Sequence, residues 1–234
     1  MNRGETMAIY AISDLHLSKA VPNKSMELFG NAWENYEERL DKNWKATVKE
    51  QDTVLIPGDI SWAIDLNAAY EDFAYIDSLP GNKIIIKGNH DYYFSTLTKV
   101  NKFLEENNFN TIRILNNNSF FVENINICGF RGWGNTEDNK VDDYKVYLRE
   151  LVRLELSLKS IAQENKDKDI IVMTHFPPFK HEIKELFKKY NVKKCIYGHL
   201  HGDGHYMVRE GLIDDVEYKM VSGDYTKFEL VKLN

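Results

Sequence analysis

The chain has 234 residues, of which 43% are hydrophobic, so it can bury a substantial core and still falls within the size of one domain. Acidic residues outnumber basic ones by 36 to 30 without an evident lysine and arginine stripe, which argues against strong binding to a nucleic-acid polymer. No apolar run approaches the roughly 20 residues of a membrane span, and no signal-peptide core opens the chain. We expect a single cytosolic domain over residues 1–234.

The first half alternates between apolar strands and helix-periodic stretches. Strands are predicted at 8–13, in "DTVLIPGD" (52–59) and in "KIIIKGNHD" (83–91), and each runs into a polar loop. Apolar residues recur every three or four positions in the segments between them. These segments predict helices over 25–50, 65–79 and 95–107.

The second half begins with three short strands, "TIRIL", "SFFVE" and "INICGF", whose asparagine-rich connections predict a hairpin or meander. The acidic stretch 137–143 is interpreted as a solvated loop that leads into a helix at 141–164. A strand at 169–175, a helix at 180–190 and a tail that alternates like antiparallel strands follow. This order predicts an α/β fold with two packed sheets and helices outside.

Several residues with distinctive chemistry have ordinary structural interpretations. Cys128 and Cys195 lie in predicted strands without a CxxC pair, and we expect buried free thiols. His205 follows two glycines, and a solvent-exposed position near a site is expected. Aromatic side chains at helical spacing are expected in the core, namely Trp33, Tyr36 and Trp44.

The polar residues that suggest chemistry all follow predicted strands. Because the carboxyl ends of the strands in an open α/β sheet converge on one crevice, five separate loops can meet there. One such motif alone is weak evidence for a functional site, since Asp and Asn are common in turns. The set is Asp14, His16, Asp59, Asn89, His90, Asp91, His175, His199 and His201.

These residue types favour a particular class of metal site. Carboxylates, imidazoles and one amide oxygen, without thiolates, suit Mn, Fe or Zn better than a closed structural zinc site. The residues in this set are too many for one ion, whereas a central Asp can bridge two. Two such ions can polarise a phosphoryl oxygen and hold a bridging hydroxide for in-line attack. The hypothesis is a site for two divalent metal ions.

The ordered motifs DxH, GD, GNHD, H and GHxH span residues 14 to 201 and resemble the calcineurin-like metallophosphoesterase superfamily. The resemblance implies a four-layer αββα sandwich of two mixed β-sheets flanked by helices. It also implies that Asp59 bridges the two ions. One ion would be bound by Asp14, His16 and His201, and the other by Asn89, His175 and His199.

The resemblance further implies that His90 lies beside the ions, and we interpret it as the general acid. Asn89 and His90 would contact substrate. Arg131, in "GFRGWG", is expected to bind phosphate or to be a surface charge. In "GDISWAID", Trp62 and Ala63 replace the Asp and Arg of the protein phosphatases, which argues against that branch. Whether Asp91 or Asp65 orients His90 stays open.

Three functions remain as candidates: hydrolysis of a phosphodiester or nucleotide-type substrate, hydrolysis of a phosphomonoester, and protein binding without catalysis. The absence of an evident arginine cluster beyond Arg131 favours a small phosphodiester or nucleotide-type substrate over a phosphomonoester. A protein-binding scaffold without catalysis is the alternative from another class, although the complete ligand set argues against it. The oligomeric state is not indicated by the sequence.

Overall fold

The computed structural model describes residues 7–133 and 141–234, without the side chains of 141 and 142. Their strands form two mixed sheets. In the first sheet four strands run parallel, and one edge strand is antiparallel to its neighbour. In the order β11-β1-β2-β3-β4, it contains β1 (Ile9–Ala11), β2 (Thr53–Ile56), β3 (Asn82–Ile85), β4 (Ile112–Ile114) and β11 (Val231–Lys232).

The second sheet has four parallel strands between two antiparallel edge strands. One edge is a tight hairpin whose two turn residues, Glu123 and Asn124, both have positive φ, as a type I′ turn requires. In the order β5-β6-β7-β8-β10-β9, the sheet contains β5 (Phe120–Val122), β6 (Ile125–Phe130), β7 (Ile170–Thr174), β8 (Lys194–Tyr197), β9 (Gly211–Ile213) and β10 (Val216–Met220).

The helices cover the outer faces of the two sheets. The first sheet packs against α1 (Tyr36–Thr47), α2 (Tyr70–Ser78) and α3 (Leu97–Glu106), and the second against α4 (Val141–Lys159) and α5 (His181–Lys189). No helix in the described ranges has the length and apolar character needed to cross a bilayer. The expected αββα arrangement of two mixed sheets is confirmed.

Three apolar layers follow from the alternation of side chains along the strands. In β7, Val172 packs towards the helices, whereas Ile171 and Met173 pack towards the other sheet. The layer between the sheets combines residues of both, including Ile9, Leu55, Ile84, Ile127, Ile171 and Ile196. This layer aligns the two sheets, and therefore the loops at their carboxyl ends.

Some predicted elements were wrong. The helix predicted over 25–50 begins only at Tyr36, because Gly30 has φ +110° and short 3₁₀ turns occupy 22–33. The helix expected from residue 65 begins at Tyr70. The meander is also wrong, since β4 belongs to the first sheet and only β5 and β6 form a hairpin.

The prediction of antiparallel strands in the carboxyl-terminal tail is only partly correct. β10 pairs in parallel with β8 and antiparallel with β9, whereas β11 crosses to the first sheet. Both cysteines are buried and free, and Trp33, Tyr36 and Trp44 are buried as expected. Of the acidic stretch, residues 137–140 and the side chains of 141 and 142 lie outside the described residues.

Candidate metal centre

The candidate ligands lie at the carboxyl ends of parallel strands, and both sheets contribute. Asp14 and His16 follow β1, Asp59 follows β2, and Asn89 follows β3. From the second sheet, His175 follows β7, and His199 and His201 follow β8. All seven predicted ligands are brought to one region between the sheets.

One group of ligand atoms is formed by Asp14, His16 and His201. The Nε2 atom of His201 lies 3.2 Å from Asp14 Oδ1 and 3.4 Å from His16 Nε2. The other carboxylate oxygen of Asp14 accepts hydrogen bonds from the hydroxyls of Ser13 and Ser222. Asp14 is therefore held with Oδ1 directed at the two imidazoles.

A second group surrounds His175. Its Nε2 atom lies 2.6 Å from Asn89 Oδ1 and 3.4 Å from Asp59 Oδ2. The same Asp59 oxygen lies 3.7 Å from His16 Nε2, so this carboxylate stands between the two groups. The ring centroid of His199 is 5.1 Å from that of His175. The two groups overlap, because Asp14 Oδ1 also lies 3.9 Å from His175 Nδ1. The division of the ligands between two ions stays a prediction.

Unpartnered atoms in this region fit divalent cations. Asp59 Oδ2 and His16 Nδ1 are buried and have no hydrogen-bond partner in the described protein. His175 Nδ1 lies 3.0 Å from the carbonyl oxygen of Pro57, which places its proton there and leaves a lone pair on Nε2 facing Asn89 Oδ1. Converging lone pairs repel one another unless a cation binds them, so the donor set fits hard and borderline metal ions.

Burial and neighbouring charges shift the protonation of these groups. Burial lowers the pKa of His175 to about 4 and the pKa of His199 to about 3, so both rings are neutral at pH 7 and can donate a lone pair. Burial, followed by the charges of Asp91 and Asp14, raises the pKa of Asp59. A bound cation would favour its ionised form.

His201 behaves differently. Burial disfavours its charged ring, but the carboxylates of Asp14 and Asp224 outweigh burial and raise the pKa of His201 to about 10. Burial by itself would raise the pKa of Asp14, but neighbouring histidines, His201 above all, lower it. A metal ion bound by His201 would have to displace the proton shared with Asp14.

The motif glycines are required by close packing. A Cβ atom on Gly58 would lie 2.6 Å from the Gly88 Cα, and one on Gly198 would lie 2.2 Å from Asp14 Oδ2. Asp14, His16, Asp59 and His199 all adopt positive φ, between 43° and 73°. Non-glycine residues in this region carry backbone strain, which is characteristic of functional sites.

Comparison with known proteins is consistent with this geometry. The model of the family described as calcineurin-like phosphoesterase matches residues 7–203, most of the chain. The chain belongs to the calcineurin-like phosphoesterase family. It is also 27% identical over 168 residues to an uncharacterized protein, MJ1445, of Methanocaldococcus jannaschii, a match that covers 70% of this chain and 89% of that protein.

Solved structures of similar fold extend over nearly the whole phosphoesterase chain. TT1561 of Thermus thermophilus has a TM-score of 0.58 and 15% identity, with 98% of this chain and 99% of that chain covered. A protein of unknown function from Aquifex aeolicus, AQ665, has a TM-score of 0.53 and 18% identity, covering 97% and 95%. At these identities the comparison shows a shared fold.

In this phosphoesterase, His90 lies beside the ligands. Its backbone N–H donates to Asp59 Oδ1 at 2.8 Å, and its ring packs against Trp62 with centroids 4.8 Å apart. Trp62 also stacks on His16, again with centroids 4.8 Å apart. The tryptophan that replaces the phosphatase Asp therefore covers two histidines. Burial lowers the pKa of His90.

Neither carboxylate considered for orienting His90 hydrogen-bonds to its ring. Asp91 is buried and accepts backbone N–H groups of Gly88, Asp59 and Ile60 at 2.7 to 2.9 Å, so it ties two site loops together. Asp65 is exposed and accepts from the backbone of Ala68. Packing against Trp62 positions the His90 ring instead.

The Arg131 side chain packs against Glu150 and Trp133. Burial lowers the pKa of Arg131, and the charge of Asp59 is near enough to influence it. Its guanidinium lies 3.7 Å from Glu150 and over the ring of Trp133, at 4.8 Å from the centroid. Its carbonyl oxygen accepts the backbone N–H of His175 at 3.1 Å, so its backbone adjoins the candidate metal centre. The expected phosphate-binding role stays a prediction.

The sequence argument missed Asp224, which follows β10. Asp224 Oδ1 lies 2.8 Å from His201 Nδ1, the geometry by which a carboxylate orients a metal-binding imidazole. Asp224 also lies 3.3 Å from His205, which is half-buried instead of exposed as expected. The motif "SGD" after a predicted strand was the one available signal, because it repeats the strand-then-Asp pattern of the other ligands.

Proposed function

We propose that this protein hydrolyses small phosphate esters with two bound divalent cations, and that it prefers phosphodiesters of the nucleotide type. The observation that carries the proposal is the buried, unpartnered Oδ2 atom of Asp59, which lies between imidazoles from both groups. A buried carboxylate oxygen without a partner is costly in a protein that binds nothing there. A binding scaffold would not need this arrangement.

Each cation would have its own ligands, with Asp59 between them: Asp14, His16 and His201 on one side, and Asn89, His175 and His199 on the other. Mn, Fe and Zn fit these donors. When bound, the cations would polarise the phosphoryl group and make water a stronger nucleophile. The chain supplies rigidity, because Ser13 and Ser222 fix Asp14 and the Pro57 carbonyl fixes His175.

His90 would donate a proton to the leaving oxygen from its protonated form. Burial lowers the pKa of the ring, and the negative charge of a bound substrate phosphate would raise it again. Its Nδ1 atom is buried without a hydrogen-bond partner in the described protein, and the anchored backbone and Trp62 hold the ring beside Asp59. Proton donation matters most when the leaving alcohol is a poor leaving group. His90 and Asn89 would both contact the substrate phosphate.

An aromatic groove of about 760 Å³ supports the nucleotide-type preference. It includes His199, so it opens at the candidate metal centre. Planar side chains in such a groove can stack on a nucleobase. Its aromatic side chains are Trp133, Phe176, Phe179 and Tyr206.

The test starts from protein stripped of metal, assayed with bis-p-nitrophenyl phosphate and p-nitrophenyl phosphate after addition of Mn²⁺, Zn²⁺ or Mg²⁺. We expect metal-restored turnover, faster on the diester, that Asp59→Asn abolishes and the exposed control Asp65→Asn retains. His90→Asn should keep its metal and lose about 10²-fold or more on esters with poor leaving groups, and less on nitrophenyl esters.

The outcomes separate the candidate functions. A preference for the monoester would support a phosphomonoesterase. Two bound ions per chain without turnover of either ester would argue for a scaffold. Loss of metal in His90→Asn would show that His90 is a ligand and not the acid.

A further inference from the structure

A second cavity, separate from the aromatic groove, lies beside the candidate metal centre. It has a volume of about 380 Å³ and is enclosed by the carboxyl ends of β3, β4 and β6, the start of α3 and one face of α4. None of the seven candidate ligands lines it. Four basic residues do: Lys87, Arg131, Arg149 and Arg153.

Positive charge in this cavity exceeds negative charge. Glu150 is the single acidic residue among its lining residues, and it is buried. Its Oε1 atom pairs with Arg153 at 2.8 Å and with Arg131 at 3.7 Å, so one carboxylate serves two arginines. The expectation that no arginine cluster surrounds Arg131 was therefore wrong.

Two arginines of the cluster have donors that lack an acceptor among the residues the structure describes. Arg131 Nε is buried without a hydrogen-bond acceptor among the described residues. Arg149 has no ion pair with any carboxylate whose side chain the structure describes. Guanidinium N–H groups that lack an acceptor and line a concave surface suit a phosphate or a carboxylate.

The amino end of α3 faces the same cavity. Ser95, Thr96 and Leu97 line it, and Thr96 caps the helix by accepting the N–H of Lys99 at 3.3 Å. The N–H groups and dipole at the start of this ten-residue helix favour an anion. The helix and the arginines therefore favour the same sign of ligand charge.

The cavity adjoins the candidate centre through two short connections. Lys87 directly precedes the Gly88 and Asn89 of the ligand loop, and the carbonyl of Arg131 accepts the N–H of His175. Arg131 lines the cavity, and Trp133, on which it stacks, lines the aromatic groove. The groove and the cavity are thus adjacent, with this pair between their lining residues.

We propose that the cavity binds a second phosphate group of the substrate, distinct from the phosphate that is hydrolysed. The proposal rests on the phosphoesterase function above and narrows it to nucleotides that carry a phosphate at another position. The base would occupy the aromatic groove, and the additional phosphate would contact Arg149 and Arg131. Among the described residues, Glu150 is the one acidic side chain that lines the cavity, and the two arginines already engage it.

The test compares thymidine 5′-(p-nitrophenyl phosphate) with its 3′-phosphorylated derivative. We expect the metal-loaded protein to prefer the 3′-phosphorylated compound by about tenfold or more in kcat/KM, through KM. Arg149→Glu should remove most of this preference, and Arg149→Lys should keep part of it. The matched control Arg113→Glu changes an exposed arginine on β4 outside the cavity and should keep the preference.

An absent preference, or one unchanged in Arg149→Glu, would overturn the proposal. Inorganic sulfate should compete with the 3′-phosphorylated compound alone. If sulfate instead alters turnover of the unphosphorylated compound and Arg149→Glu abolishes that effect, the cavity binds a free regulatory anion and the proposal is wrong.

If neither compound is hydrolysed, the proposed function fails and the cavity is tested by calorimetry on the same pair. Tighter binding of the 3′-phosphorylated compound to the wild type than to Arg149→Glu would support the cavity as a phosphate site. Equal binding would overturn it.

Discussion

Side chains at the candidate centre are held by partners that would bind no cation themselves. Asp224 orients His201, the Pro57 carbonyl orients His175, and the Ser222 hydroxyl fixes Asp14. Each partner sets the direction of a lone pair. The affinity for metal should therefore depend on residues outside the ligand set.

Asp224→Asn tests this dependence. The amide can still accept the Nδ1–H of His201, but it lacks the charge that increases the basicity of the ring. We expect affinity for the cation that His201 would bind to fall about 10- to 100-fold, measured by competition with a chromophoric chelator. The nearby exposed Asp203→Asn is the control and should bind metal as the wild type does. Equal affinities in both variants would show that Asp224 serves only the fold.

At the scale of elements, the strands end where their loops must pass almost in contact. The turn after β8 meets the turn after β1 at Gly198, where even a methyl group would overlap the Asp14 carboxylate. The turns after β2 and β3 approach equally closely at Gly58 and Gly88. The motif glycines offer no ligand atom themselves, but the close contacts that they allow set the distances between the candidate ligands.

Gly198→Ala should displace Asp14 and leave the sheets intact. We expect metal-dependent activity to fall at least about 10²-fold, as displacements of about 1 Å do, with an unchanged far-ultraviolet circular dichroism spectrum. Gly204→Ala is a suitable comparison, because its Cβ atom would lie 3.8 Å or more from its neighbours. Full activity of Gly198→Ala would mean that Asp14 is not confined by this contact.

The elements also show what the sequence can and cannot predict. An Asp or His that directly follows an apolar strand is visible in a few consecutive residues. Such patterns therefore indicated the ends of the strands and the candidate ligands. The helix expected from residue 25 failed at its start because Gly30 interrupts it with φ +110°, which leaves Phe29, the first residue of its apolar period, exposed. Asp224 repeats the strand-then-Asp pattern, but its pairing with His201 depends on a neighbour distant in sequence. The same holds for Arg149, which lines one cavity with Arg131.

At the scale of the molecule, the two sheets share one apolar layer, which also positions the candidate centre. Ile196 is fully buried in that layer. We expect Ile196→Ala to lower the free energy of unfolding by about 2–5 kcal/mol, measured in urea. The exposed Leu212→Ala should have little effect.

The same experiment tests whether the chain unfolds as one domain. Tryptophan fluorescence and circular dichroism should give coincident transitions, and Ile196→Ala should shift both together. Separate midpoints would instead indicate that the two halves unfold independently.

The division of the ligands between the sheets has a mechanical consequence. Asp14 and Asp59 move with one sheet, and His175 and His201 move with the other. A small slip between the sheets would leave the pairing within each sheet unbroken, but it would strain the bridge between Ser13 and Ser222 and change the 3.2 Å separation of Asp14 and His201. The distances between the candidate ligands therefore depend on how the sheets are aligned. Substitutions that loosen the apolar layer between the sheets should alter these distances before any strand or helix unfolds.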